Sequence, residues 1–330
     1  MPRFTRSGLV RRAQYHAARA RNAAANLLVS GSVKGYRSQH CADFSEYVMR
    51  QGGRQDSGFP DRWRIDPQFD IADPSRIAVV IHCFYADLMP ELFAHLRNIP
   101  VDFDLFITNA SGVDVAVPED LEHLRHSVIV DVDNHGRDIF PTVQLVNSGI
   151  LNPYDLILKL HTKKSPWREE HADLDGSGAA WKDQFLSDLV GSREKVEKIL
   201  NAFAAEPSLG LVTAADSIVG KEFWGGDQRI VEQLMLRIEM SIKPDELEFA
   251  SGSMYWTRAF ILQGLRAFNL TSADFDEEKG QVDATTAHAI ERIIGIVTDE
   301  AGLRTAEAPQ IATIESEPGY DPQGYRRFEP

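Results

Sequence analysis

The stretch YDLILKLHTKKS, residues 154–165, decides the fold. In a strand, Leu156, Leu158 and Leu160 share one face, and Ile157, Lys159 and His161 share the other. A run this apolar on both sides suits a strand buried within a parallel sheet. It ends in His161, Lys163 and Lys164, three potential cations within four residues, in a chain whose net charge is −14. So much positive charge at one strand end requires a reason.

Working outward, RIAVVIHCFY reads as a buried strand, and DLMPELFAHLRNIP as a helix ending before Pro100. FDLFITNA is a second strand, followed by a loop and a short helix at PEDLEHLRHS. VIVDVDN is a third strand, RDIFPTVQLVNSGI a helix, and YDLILKLHT the fourth strand. This alternation predicts βαβ units and an α/β fold with a mostly parallel sheet flanked by helices. Ligands of such sheets sit beyond the carboxyl ends of the strands, which places Tyr85, Asn109, Asn134 and His161 along one edge. Further on, WKDQFLSDLVGS and REKVEKILNAFAAEP read as amphipathic helices and LGLVTAA as a strand. FWGGDQRIVEQLMLRIEMSI is a glycine turn leading into a helix, and FASGSMYWTRAFILQGL a small-residue turn, a strand and a helix. TTAHAIERIIG is a helix with Gly295 as its stop. The expected organisation is a basic helical extension and linker at 1–70, an α/β domain at 71–305 and a tail at 306–330.

The 330 residues are 43% hydrophobic and 25% charged, which fits a globular protein without a membrane-spanning run. Cys41 and Cys83 form no disulfide framework or metal knuckle, and no secretory signal is visible, so a cytoplasmic location is expected. Residues 1–42 hold eight Lys or Arg and no acid, so the remaining chain is more acidic than the total. Three readings of this arm stay open: a basic helix on anionic lipid at the inner membrane or on a partner through residues 1–25, a helix packed on the domain, or a frayed tail. Nucleic acid is disfavoured, because the acidic body would repel phosphate.

Four constellations can carry chemistry. In HTKKS, lysines at a strand end can pair with phosphate oxygens, although a solvated basic turn would look the same. No GxxxxGK[ST] or GxGxxG motif is present. In DVDNHGRDI, Asp131 and Asp133 form a DxD that could hold Mg²⁺ or Mn²⁺, or merely finish a sheet edge. Gly136 there allows close backbone approach, and Arg137 and Asp138 either pair locally or contact an anion. In GSMYW, Gly252, Ser253 and Trp256 either hold a flat ligand or belong to the core. In DATTAHAIER, His288, Glu291 and Arg292 lie near one another on a helix, and Asp283 before it is either a cap or a general base.

With NHGRDIFP, YDLILKLHTKKS, ASGSMYW and AHAIER in this order, the chain resembles the rhamnan-synthesis F family of polysaccharide-assembly proteins over about residues 77–300. The resemblance implies a glycosyltransferase with a GT-A-type nucleotide-sugar fold, acting on bacterial surface polysaccharide or lipopolysaccharide such as rhamnose-containing O-antigen. Its partners would be a nucleotide-diphosphate sugar and a glycan or lipid-linked glycan acceptor. In the large inverting GT-A families an N-x-G…N-x-G helix precedes a strand ending in a metal-binding DxD. Asn134-His135-Gly136 and Asn147-Ser148-Gly149 match that helix, but the strand ends in Lys159-Leu160-His161. The resemblance thus implies metal-independent transfer, with His161, Lys163, Lys164, Arg137 and Lys159 facing the diphosphate and no metal cofactor. Asp131 and Asp133 are the fallback metal site.

By the same positional logic Asp283 is the first choice of base, with Glu291 second. Asn134, Gly136, Asp138, Gly252, Ser253, Trp256, His288 and Arg292 would line the nucleotide and sugar, with Trp256 as a stacking platform. Two rivals remain: a non-catalytic nucleotide-sugar or glycan binder, and another phosphate-handling enzyme using the same cationic strand end.

Overall fold

The computed structural model describes residues 73–164, 178–281 and 283–311. The basic arm and most of the expected tail lie outside them.

The sheet opens with β1 (Ile77–Cys83), whose seven residues are all buried. Helix α1 (Met89–Leu96) leads to β2 (Phe103–Asn109), and β3 (Leu124–Asp131) follows. Helix α2 (Ile139–Ser148) stops at Gly149, whose φ of 81° closes the helix in the left-handed region. Then comes β4 (Leu156–His161). Helices α3 (Gly178–Val190) and α4 (Arg193–Ala205) follow, α4 capped by the Ser192 hydroxyl, which accepts from the Lys195 N–H at 3.2 Å. The remaining elements are β5 (Leu209–Thr213), β6 (Ile218–Gly220), α5 (Gln228–Met235), β7 (Glu248–Ala250), β8 (Tyr255–Arg258), α6 (Ala259–Gln263), α7 (Thr286–Glu300) and β9 (Arg304–Glu307).

Seven strands form one sheet in the order β3-β2-β1-β4-β8-β5-β9, and β6 pairs with β7 alongside. β1, β2, β3 and β4 run parallel, as do β5 and β9, while β8 is antiparallel to both neighbours. The sheet is therefore mixed but mostly parallel, and the α/β fold is as expected. The two faces of β4 separate as its alternation predicts. Leu156, Leu158 and Leu160 pack with α1, α3 and α4, and Ile157 packs with α2, α5, α6 and α7.

Three stretches depart from expectation. Residues 118–123 form turns rather than a helix, and Leu124–Asp131 is all strand. Its burial alternates with a period of two because β3 is an edge strand, and pairing with β2 overrides the local helical pattern. Gly295 does not end α7, which continues to Glu300. A side chain there would run into the Glu248 carbonyl and Phe249, so the glycine lets α7 cross closely over β7. Finally, Ala306 and Glu307, read as the start of a tail, complete edge strand β9, and Ile311 is buried in the core.

The order of the strands places the site. From β1 the chain adds β2 and β3 on one side, then returns to lay β4 on the other, so the carboxyl ends of β1 and β4 flank a topological switch point. His82 and His161 are register partners there.

Candidate functional site

Two loops are tied together at the switch point. The Thr162 hydroxyl accepts from the backbone N–H groups of Phe84 and Tyr85 at 2.8 and 2.9 Å, and the Thr162 N–H donates to the His82 carbonyl at 2.9 Å. The cationic strand end is thereby held against the loop that leaves β1.

The three cations do not act alike. His161 is buried, and burial drops its imidazole to about 3, so it is neutral at ordinary pH. His82 behaves the same way, falling to about 4 by burial, and bonds Thr108 Oγ1 at 3.0 Å. Lys164 is exposed, pairs with Asp87 at 2.6 Å and lies 4.9 Å from the Tyr85 ring centroid. Lys163 is partly buried, and its charge acts on both His161 and Glu291.

Lys159 has a different environment. Its side chain is 1% exposed and pairs with Asp138 at the start of α2. Its other donors go to the Ser253 carbonyl at 2.8 Å and Ser253 Oγ at 3.0 Å. All three ammonium hydrogens are thus engaged within the protein. Burial opposes the charge on Asp138, but Lys159 beside it holds the carboxyl well below the usual range. His161 Nδ1 lies 3.5 Å from the same carboxylate and makes no hydrogen bond.

Lys159 pairs in register with Tyr255 of β8, so the turn before β8 is brought to the same edge. In that turn Gly252 and Ser253 have φ of 87° and 56°. Gly136 and Arg137, at 64° and 56°, form a second left-handed pair before α2. Non-glycine residues in this region cost roughly 1–3 kcal/mol each and gather at functional sites. The Gly252 N–H donates to Glu291 Oε1 at 2.9 Å. Burial raises the Glu291 carboxyl, and Lys163, Asp138 and Lys159 all act on it.

A second acidic group lies beside α7. Asp283 Oδ2 accepts from the Gly226 N–H at 2.7 Å. Gly225 has a φ of 50°, and a Cβ there would overlap the Asp283 carboxylate, so the glycine turn forms a seat for that side chain. Asp227 is fully buried beside it, 3.2 Å from Arg292 Nη1. Arg292 also donates to the Phe223 carbonyl at 3.2 and 2.7 Å and to the His288 carbonyl at 2.9 Å. Burial lowers His288 to about 3, and its Nδ1 lies 2.8 Å from Thr285 Oγ1.

The edge therefore brings together Lys159, His161, Lys163, Asp138, Ser253, Gly252, Glu291, His288, Arg292 and Asp283. Others are committed differently. Arg137 acts on His288, but it bonds Gln281 and Glu278, tying its turn to the 275–281 loop. Asn134 is exposed, and Asn147 serves packing, donating to the Leu270 carbonyl at 3.1 Å. Asp131 accepts from Asn109 Nδ2 at 2.9 Å and finishes the sheet edge. Among the described residues, no three His, Cys, Asp or Glu are arranged to hold a metal ion. Trp256, read as a stacking platform, is a core residue. It is 0% exposed, and its indole N–H donates to the Leu189 carbonyl at 3.0 Å, because odd and even positions of β8 face opposite helix layers. Sequence reasoning missed Asp227, whose only mark was a carboxylate directly after two glycines.

The family model for rhamnan synthesis protein F matches residues 60–303, spanning the sheet and this edge. The chain belongs to that family. Its membership connects the chain with polysaccharide synthesis. The uncharacterized protein WxcX of Xanthomonas campestris pv. campestris, in strains B100 and ATCC 33913, is 32% identical over 269 residues, 80% of this chain. The chain spans 37% of the length of those relatives. No solved structure matches. Among the described residues no helix is long and apolar enough to cross a membrane.

Proposed function

We propose that this rhamnan synthesis F chain is an inverting glycosyltransferase of GT-A type. It would move a hexosyl unit, rhamnose being the family's suggestion, from a nucleotide-diphosphate sugar to a cell-surface polysaccharide or lipid-linked glycan. The observation that carries the reading is that the cationic strand end at the sheet's switch point is tied, through Lys159, Ser253 and Gly252, to Glu291 on α7, the helix that Asp283 precedes.

In the proposed step an acceptor hydroxyl oxygen attacks the anomeric carbon from the face opposite the diphosphate. The bond from that carbon to the diphosphate oxygen breaks, and the electron pair leaves on the nucleoside diphosphate. Lys163, with Lys164 at the rim, meets the developing charge. Asp283 takes the hydroxyl proton. It is half-buried and ionised at neutral pH: burial opposes the charge, but hydrogen bonds from Asp227 and from the Gly226 and Ala284 backbones hold it below the usual range. Glu291 has one oxygen committed to the Gly252 N–H, which supports the left-handed turn. Lys159 is assigned as the internal counter-ion of Asp138 rather than as a ligand. Residues 1–25 would keep the enzyme near a lipid-linked acceptor at the membrane face.

The test is turnover and donor affinity in wild type and Asp283→Asn. A loss of about 10²-fold or more in turnover with donor affinity kept is expected, the usual range for a general base. Retention of most of the turnover would remove Asp283 from the role, and unchanged donor binding with no transfer by wild type would favour a non-catalytic binder.

A further inference from the structure

Asp227 is the last residue before α5, and its side chain is 0% exposed. Neither of its carboxyl oxygens receives a hydrogen bond from an N–H or hydroxyl donor. What faces it is α7 and the loop before it: Arg292 at 3.2 Å, Glu291 beside Arg292 on α7, and the Asp283 carboxylate, seated at 2.7 Å on the N–H of Gly226, the residue directly before Asp227. His288, on the same helix and neutral, is bonded to Thr285, with Arg137, Arg292 and Asp283 around it. Asp227 and Glu291 thus share one guanidinium, at 3.2 and 3.8 Å. Most of its donors are already spent on the carbonyls of Phe223 and His288.

Two neighbouring carboxyl groups, one of them wholly buried, do not both stay ionised. The environments of the two decide which one keeps the proton. Asp283 is half-buried and accepts from the Gly226 N–H, so its charge is supported. Asp227 has no such support and is sealed from water.

We propose that Asp227 and Asp283 share one proton, carried on Asp227 and donated to Asp283, making Asp227 a positioning residue that orients and keeps ionised the carboxylate assigned as base. Only the word base rests on the proposed function; the shared proton is a property of the folded protein. Gly225 completes the device, since a Cβ there would overlap the Asp283 carboxylate and displace it from its seat. The direction of titration agrees. Burial, with Asp283 beside it, pushes Asp227 up to about 9 against the pull of Arg292.

The test is urea unfolding of wild type, Asp227→Asn and Asp283→Asn from pH 6 to 10, without any sugar. A carboxyl whose folded pKa is raised contributes stability that is lost as pH climbs toward that value. The folded-to-unfolded ratio of wild type should therefore fall about tenfold per pH unit relative to Asp227→Asn up to about pH 9, then run parallel to it. Asp283→Asn, which removes the acceptor of the shared proton, should end this decline at a lower pH and serves if Asp227→Asn does not fold. Curves parallel to wild type throughout would overturn the proposal.

The readout that a merely structural residue would not move is the alkaline limb of turnover. It should fall above about pH 9 in wild type and lose that limb in Asp227→Asn; an identical limb in both would count against positioning. If the unfolding series shows the shared proton but no transfer occurs, only the glycosyltransferase reading fails.

Discussion

Lys159 donates to both the backbone carbonyl and the hydroxyl of Ser253, at 2.8 and 3.0 Å, although the two residues are 94 apart in sequence. This contact locks the left-handed turn before β8 to the centre of β4. Through Gly252, that turn also fixes Glu291. The interior of the site is thus held by a charge already satisfied within the protein.

The first prediction concerns that charge. Removing one partner of a buried ion pair leaves the other unpaired, at a cost of about 3–5 kcal/mol. Lys159→Met should lose stability of that order, and adding Asp138→Asn should recover most of it, as read by urea unfolding. Equal stability of Lys159→Met and wild type would mean the pair is not buried as described.

A second prediction reverses a helix rule. Glycine inside a helix normally costs about 0.5–1 kcal/mol relative to alanine. Gly295→Ala should nevertheless destabilise the protein, because its Cβ meets the Glu248 carbonyl and Phe249. A higher melting temperature would show that α7 and β7 have room to separate.

Acid sensitivity gives a third. His82 and His161 are buried and His288 is half-buried, and all three are neutral, with burial lowering them to about 4, 3 and 3. The unfolded chain binds protons at these histidines below about pH 6.5, while the folded chain does not. Stability should fall as pH drops from about 6.5 toward 4. His161→Asn should shed up to one proton's share of that slope. An unchanged slope would place the imidazole in water.

The choice of base is the fourth. Asp283 is held low, mainly by hydrogen bonds opposing its burial, and Glu291 is raised by burial. If Asp283 is the base, turnover in brief assays should persist on acidification through the ordinary glutamate range. If Glu291 is the base, turnover should already decline above that range.

What could be read in the sequence follows from how local each signal is. The alternation of Leu156, Leu158 and Leu160 against Ile157 announced a strand buried on both faces, and the strand end located the site. β3 was misread in part because its first residues, Leu124 to Ser127, carry charges on an edge strand and mimic a helical surface. Lys159 and Asp138 were both visible as candidates. That they serve each other was not, because Ser253 and the start of α2 reach Lys159 only through tertiary packing. Asp227 lies 56 residues from Asp283, and nothing local foretells their meeting. Trp256 looked available because small residues precede it; antiparallel β8 instead sets its indole between the sheet and α3.

The most direct test of the central claim is isothermal titration of dTDP, UDP and GDP into wild type and Lys163→Ala/Lys164→Ala. The account predicts that wild type binds at least one nucleoside diphosphate and that the double variant binds it at least about tenfold more weakly, a difference of about 1.4 kcal/mol. Absence of binding by wild type, or equal affinity in the double variant, would contradict a diphosphate site at the end of β4.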